Sequence, residues 1–300
     1  MPTTKRKRRF GDRYDGYKLR KVDTLFHIIP LVMRTRVDSM VYFEEEIDIT
    51  EGEQFIREHR RTDMPTLSML MIFMSAIVRL YGIRPRLNRF VIGKRIYARN
   101  SLRISLAVKH NLTIDGYETT IMPEFDPSDT LYDICGKFNN VLQKEVLDVQ
   151  QSENNGSKTD IVAKAIGACP MFIKSFIVWA ARHLDNIGLM PKVINRASPF
   201  HSSAFITDMG SLGIGPIYHH LYEFGTCSEF FAMGKKETKY VFDDSGEPKK
   251  RRVINVKIVA DERICDGYYY ASSMRLFKKL IKHPEQLLLP PETVFEDDAI

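Results

Sequence analysis

The sequence predicts an α/β (α+β) two-layer sandwich: a mixed sheet with helices on one face, in one compact domain. Three observations predict it. Stretches with the two-residue alternation of strands recur along the chain, at 40–49, 90–97, 101–109, 204–209 and 253–260. Between them lie segments with the apolar period of helices, at 66–80, 127–146, 172–184 and 270–281. Some strands are joined by short turns such as Asp243-Asp244-Ser245-Gly246 and others by helices, which favours a sheet of mixed direction.

Taken in order, residues 1–20 read as a basic arm, 21–290 as the main domain and 291–300 as an acidic tail. Asp23 to Arg36 reads as a helix with Asp23 or Thr24 as its cap and Pro30 as a kink. Met40 to Ile49 is a strand, and Thr50 opens a short charged helix carrying Phe55 and Ile56. Thr66 to Leu80 is apolar enough for a core helix, its methionines serving as filler. Residues 90–97 and 101–109 read as paired strands, Asp115-Gly116 as a turn and 118–123 as a further strand. Pro127-Ser128 opens a long amphipathic helix, 150–157 is a polar loop, and 172–184 is a helix holding the sole tryptophan, Trp179. Three glycines within 210–216 mark a tight backbone path before a strand at 227–234.

Composition excludes several classes. With 300 residues and 44% hydrophobic content the chain can bury a substantial core. Its longest apolar runs, Leu67 to Leu80 and Met171 to Ala181, are broken by Ser68, Ser75, Arg79, Lys174 and Ser175, so no membrane partner is expected. Lys5-Arg6-Lys7-Arg8-Arg9 supplies most of the net charge of +6, but no apolar segment follows, as a secretory signal would require. Nothing aromatic interleaves that run, and no nucleic-acid-binding pattern follows it, so it reads as a solvated tail. The four cysteines have no metal-ligand spacing; no metal and a reducing, cytoplasmic setting are expected.

The stretch with chemical content is Asp261-Glu262-Arg263-Ile264-Cys265-Asp266-Gly267, a charged turn between a strand and a helix. Counting by twos puts Glu262 on the side of Ile254, Val256, Ile258 and Ala260, the side expected to be buried. A carboxylate aimed at an apolar interior is costly unless paired, protonated or facing a cavity. The turn is therefore a site or a structural latch.

This turn resembles one in the acyltransferase (catalytic) domain of 2-oxoacid dehydrogenase E2 components and, more distantly, in chloramphenicol acetyltransferase. The first family reads Asp-His-Arg, two apolar residues, Asp-Gly. Here Asp261, Arg263, Ile264, Cys265, Asp266 and Gly267 match, and Glu262 stands where the family has its catalytic histidine. Other segments are similar in order and spacing: Phe43 to Thr50; Thr66 to Leu80 with Pro85-Arg86-Leu87-Asn88; Phe205-Ile206-Thr207-Asp208-Met209-Gly210; and His283-Pro284-Glu285-Gln286-Leu287-Leu288. The resemblance spans about Asp23 to Leu289.

The resemblance implies a chloramphenicol acetyltransferase-like sandwich that assembles as a homotrimer, with the active site between subunits. Coenzyme A or acyl-CoA enters from one side and the acyl acceptor from the other. Thr207 matches the hydroxyl that stabilises the oxyanion; as a residue alone it is also an ordinary packed strand threonine. Asp266 matches the structural aspartate, with Arg34, Arg36 or Arg263 as its basic partner, and also suits a helix N-cap. Glu262 serves as base only if burial raises its pKa; otherwise it forms an ion pair, with Arg263 or a neighbouring subunit's arginine, and ordinary chemistry is lost. His201 and the pair His219-His220 are weaker candidates for a relocated base, and two histidines with Glu223 do not make a metal site. Cys265, among carboxylates, reads as packing, and 210–215 lacks the lysine of a phosphate loop. This chain carries no lipoyl domain or swinging linker. Two functions follow: a stand-alone acyltransferase of unknown acceptor, or an inactive family member acting as a trimeric binding or assembly module.

Overall fold

The computed structural model describes residues 6–109, 118–155, 168–243 and 245–300. A short strand, β1 (Gly16–Lys18), precedes α1 (Thr24–Val32). Asp23 caps α1 by accepting from the Leu25 amide at 2.9 Å, and Pro30 lies in its last turn. β2 (Met40–Asp48) leads into α2 (Thr50–Thr62) and α3 (Met69–Ile83). Ser68 caps α3, which is apolar on every side and buried along almost its whole length. Then come β3 (Arg89–Ile92), β4 (Arg95–Arg99), β5 (Leu102–Lys109), β6 (Glu118–Ile121), β7 (Glu124–Phe125) and α4 (Leu131–Asn155). The chain continues through α5 (Met171–Asn186), α6 (Lys192–Ala197), β8 (Ala204–Asp208), β9 (Glu229–Phe242), β10 (Pro248–Asp261) and α7 (Gly267–Lys282).

The main sheet has the order β2-β10-β9-β8-β5-β6, with β7 added to β5. β8 runs parallel to both β5 and β9, and the other pairs are antiparallel, so the sheet is mixed as the sequence implied. On one face Ile254, Val256, Ile258 and Ala260 of β10 join Ile206 and Phe231 in the principal core, against Phe73 and Ile77 of α3 and Phe277 and Ile281 of α7. Phe73 and Phe277 meet edge to face at 5.6 Å. Each such side chain contributes about 1.5–3 kcal/mol by leaving water. The opposite face carries Phe205, Phe230 and Val259, and Leu221 and Cys227 from the irregular stretch before β9 complete a second cluster there. The His219 ring stacks on Phe230 at 4.1 Å. The central strands are thus covered on both faces.

Three features differ from the sequence reading. Residues 90–97 and 101–109 are not partners. β3 pairs with β4 across Gly93 and Lys94, both at positive φ (55° and 62°), and β1 joins β4 in a separate three-stranded sheet. A two-residue turn is enough to close that hairpin, which frees β5 to enter the main sheet. The helix α4 runs on to Asn155, through the first part of the expected 150–157 loop. The first and last residues pack together. Arg13, Asp15 and Leu19 are buried, as are Asp297, Ala299 and Ile300. The amides of Arg20 and Lys21 donate to the Ala299 carbonyl at 2.7 and 2.9 Å, and the Arg89 guanidinium clasps Asp297. The Asp115-Gly116 turn lies outside the described residues.

Candidate active site

β10 ends in a fully buried carboxylate, Asp261. Arg263, two positions on, turns back to it: Nε donates to one oxygen at 2.8 Å and Nη2 to the other at 2.6 Å, and the Arg263 amide adds a third bond at 3.1 Å. The Nε of Arg36, just before β2, lies 3.8 Å from the same carboxylate. Arg36 is itself fixed by donating to the carbonyls of Val91 and Tyr222, at 2.9 and 3.2 Å, while its amide donates to the Glu223 carboxylate at 2.8 Å. The Tyr270 hydroxyl donates to the Asp261 carbonyl at 3.0 Å. This double-arginine latch ties the end of β10 to the entry of β2 and the first turn of α7. Paired guanidiniums offset the desolvation that a lone buried carboxylate would suffer.

Asp266 sits differently from the expectation of a basic partner. Arg36 and Arg263 are engaged by Asp261, no ion pair joins Arg34 to Asp266 among the described residues, and Asp266 is exposed, accepting from the Tyr269 amide at 2.9 Å as the N-cap of α7. The residue reading, a helix cap, describes its contacts.

Glu262 does not follow the face predicted by alternation. Ile254, Val256, Ile258 and Ala260 are buried, but the chain leaves the strand after Asp261, and Glu262 is only partly covered. Its amide donates to the Ser39 carbonyl at 2.9 Å. Its carboxylate makes no hydrogen bond or ion pair among the described residues. The ion pair with Arg263 that the sequence allowed is not formed, because Asp261 holds that guanidinium. Cys265 is buried, and burial, followed by the charge of Glu229, pushes its thiol well above the ordinary range. It is no nucleophile in this state.

Thr207 lies on β8, half-buried, with its Oγ1 3.6 Å from the Met209 Sδ. It stands opposite Ala232, and Ala232 opposite Lys257, five residues before Glu262. At roughly 3.3 Å per residue the two side chains are about 16 Å apart along the strands, besides the lateral offset of two strands. One protomer therefore does not bring Thr207 and Glu262 together. His201 is fully buried between Asp185 and Ser198, and His219 is packed on Phe230, where burial lowers its pKa. Among the described residues no group of three His, Cys, Asp or Glu side chains is placed to hold a metal.

One residue near the turn escaped sequence reasoning. Glu229 opens β9 opposite Ala260 and is fully buried. The Tyr81 hydroxyl donates to its Oε2, while its Oε1 has no hydrogen-bond partner. Burial pushes its pKa up to about 8, so the carboxyl is largely neutral at pH 7. The available signal was an acidic residue inside the apolar run 227–234.

Comparison with known proteins bears on this arrangement. Residues 201–289, which hold β8, β9, β10, the turn and α7, match the sequence profile of the 2-oxoacid dehydrogenases acyltransferase (catalytic domain). No curated protein matches the chain in sequence. The fold is similar to that of a probable dihydrolipoamide acetyltransferase from Listeria monocytogenes 4b F2365, with a TM-score of 0.53 and 12% identity over 91% of this chain and 97% of that one. It is similar to the cubic core of a pyruvate dehydrogenase multienzyme complex, with a TM-score of 0.51 and 14% identity over 91% and 95%. A dihydrolipoamide acetyltransferase of Azotobacter vinelandii, investigated for the catalytic roles of a serine, a histidine and an asparagine, matches equally, with a TM-score of 0.51 and 14% identity over 91% and 95%. The resemblance read from the turn and its flanking segments holds. The chain has the sandwich fold of these acetyltransferase cores and carries the catalytic-domain signature in its C-terminal third.

Proposed function

We propose that this chain, folded like the acetyltransferase cores, is a stand-alone acyltransferase that uses a coenzyme A thioester and works as a homotrimer. The observation that carries the reading is the state of the turn. Its frame is locked by Asp261, Arg263, Arg36 and Tyr270, while the Glu262 carboxylate is left without a partner among the described residues. In the Azotobacter vinelandii protein the histidine and the asparagine investigated are four positions apart. Glu262 and Asp266 have the same spacing.

Glu262 takes the proton of the acceptor's thiol, hydroxyl or amine as that group attacks the thioester carbonyl. Thr207 donates to the oxyanion of the tetrahedral intermediate. Collapse expels the coenzyme A thiolate, which recovers the proton from Glu262. Because Thr207 and Glu262 are far apart within one protomer, the site is composed of Thr207 from one copy and Glu262 from its neighbour. The neighbour also closes over Glu262, which is only partly covered within one protomer.

Thiol release from an acyl-coenzyme A, followed with a thiol-trapping dye, tests this. Wild type is expected to turn over. Thr207→Ala is expected to lose about 100-fold or more in kcat, as when a single oxyanion donor is removed, and Glu262→Ala to be inactive. Full activity in both variants would sink the assignment. The second reading, an inactive trimeric module, is favoured by the partial exposure of Glu262. A silent wild type beside an active Glu262→His variant would establish it.

A further inference from the structure

α5 contradicts the usual placement of apolar side chains. Met171, Phe172, Phe176, Val178 and Trp179 are each more than half exposed, at 74, 73, 63, 54 and 61%. Phe176, Trp179 and His183 form a stacked ladder along it, at 5.7 Å spacings. Its last turn is its anchor. Asp185 is buried, accepting from Arg13 Nη2 at 2.8 Å and lying 2.8 Å from His201 Nε2. On α6, Val193 and Ile194 are exposed as well. A helix so apolar and so uncovered calls for a partner.

The charges select the partner. Between residues 168 and 198 the only carboxylate is Asp185, already buried and paired, against the cations Lys174, Arg182, Lys192 and Arg196. A two-fold contact between copies through this face would set Arg182, Lys192 and Arg196 against their own counterparts; a heterologous contact, as in a trimer, is the outcome that dilution separates below. The C-terminal ends of α5 and α1 meet at a small cavity of about 70 Å³, where Asn186 and Pro30 are joined by Arg34 and Lys94. No helix among the described residues is long and apolar enough to cross a membrane. A 16-residue helix with aromatic and basic side chains, and no acid facing water, has the make-up of one that lies in a bilayer interface.

We propose that α5 docks on an anionic membrane surface. Its aromatic and aliphatic side chains enter the headgroup–acyl boundary, and Arg182, Lys192 and Arg196 meet lipid phosphates. Lying in the interface is a different relation from the spanning that the broken apolar runs argue against.

Trp179 is the sole tryptophan, so its emission reports this face directly. The full chain is titrated with vesicles of equal parts phosphatidylglycerol and phosphatidylcholine, and with vesicles of phosphatidylcholine alone. The expected result is a blue shift with co-flotation on the anionic vesicles, at least about tenfold tighter than on the neutral ones and weakened by salt. Phe172→Glu with Phe176→Glu is expected to abolish flotation. Arg182→Glu, Lys192→Glu and Arg196→Glu together are expected to remove the anionic preference, with circular dichroism unchanged in both variants. Absence of a shift with anionic vesicles overturns the proposal. So does an emission already blue-shifted without lipid that moves red on dilution, since a second copy would then cover the face.

Discussion

Replacing Asp261 with Asn removes one charge, leaving the buried guanidinium of Arg263 without its counter-charge and Arg36 with only Glu223 nearby. That change is expected to destabilise the fold by about 3–5 kcal/mol, read as a lower denaturant midpoint. Glu229 makes the opposite prediction. Its folded pKa is raised from 4.5 to about 8. Below about pH 4.5 the folded and unfolded carboxyls are both protonated; above it the unfolded one ionises while the buried one stays neutral. Stability therefore falls as pH rises from about 4.5 to 8 and then levels off, by up to about 1.4 kcal/mol per pH unit. Glu229→Gln is expected to flatten that slope in melting curves taken across the range. At this scale the sequence located the turn through its spacing. It did not reveal that Asp261, rather than Asp266, would hold the arginines, because both aspartates satisfy the pattern and only packing places one of them inside. Glu262 departs from strand alternation for a related reason: the strand ends one residue before it.

Among the elements, α3 and β10 were legible because their apolar periods are long and unbroken. Partnership was less so. Alternation states which face a strand buries, but not which strand lies beside it, and β5 was therefore given the wrong neighbour. The turn that displaced it carries its own test. Lys94 is the single non-glycine residue at positive φ among the described residues. Lys94→Gly relieves a left-handed conformation that side chains disfavour and is expected to stabilise the protein by up to about 1 kcal/mol, seen as a higher Tm. Asp266→Ala removes the cap of α7 and is expected to lose about 1 kcal/mol. Because that helix follows the turn directly, hydrogen exchange should quicken first at the Tyr269 and Tyr270 amides.

For the whole molecule, the separation of Thr207 from Glu262 gives the proposed assembly a direct readout. Thr207→Ala protomers, at about a hundredth of wild-type activity or less, and inactive Glu262→Ala protomers are unfolded and refolded together. If the site is shared between neighbours, about a quarter of the sites in a randomly mixed trimer unite an intact threonine with an intact glutamate. Activity should return to about that fraction of wild type; no recovery would place both residues in one protomer's site or in none. The sandwich itself was legible from interleaved periods and ordered segments. The shared site was implied only by resemblance, since a linear pattern carries no sign of the distance between two strands.

The contact of residues 20–48 with residues 253–299 also sets a timetable for synthesis. β2, built from Met40–Asp48, pairs only with Val253 to Asp261 among the described residues, and Arg20 and Lys21 bond to Ala299. While the ribosome is still extending the chain, the early strand has no partner, and the apolar helix α3 has no α7 to lean on. Closure waits for residues 253–300, so folding of this domain is a long-range event rather than a progressive one. A nascent chain stalled before residue 253 should remain open to protease around 40–80, and a chain extended past residue 300 should protect that region in a single step.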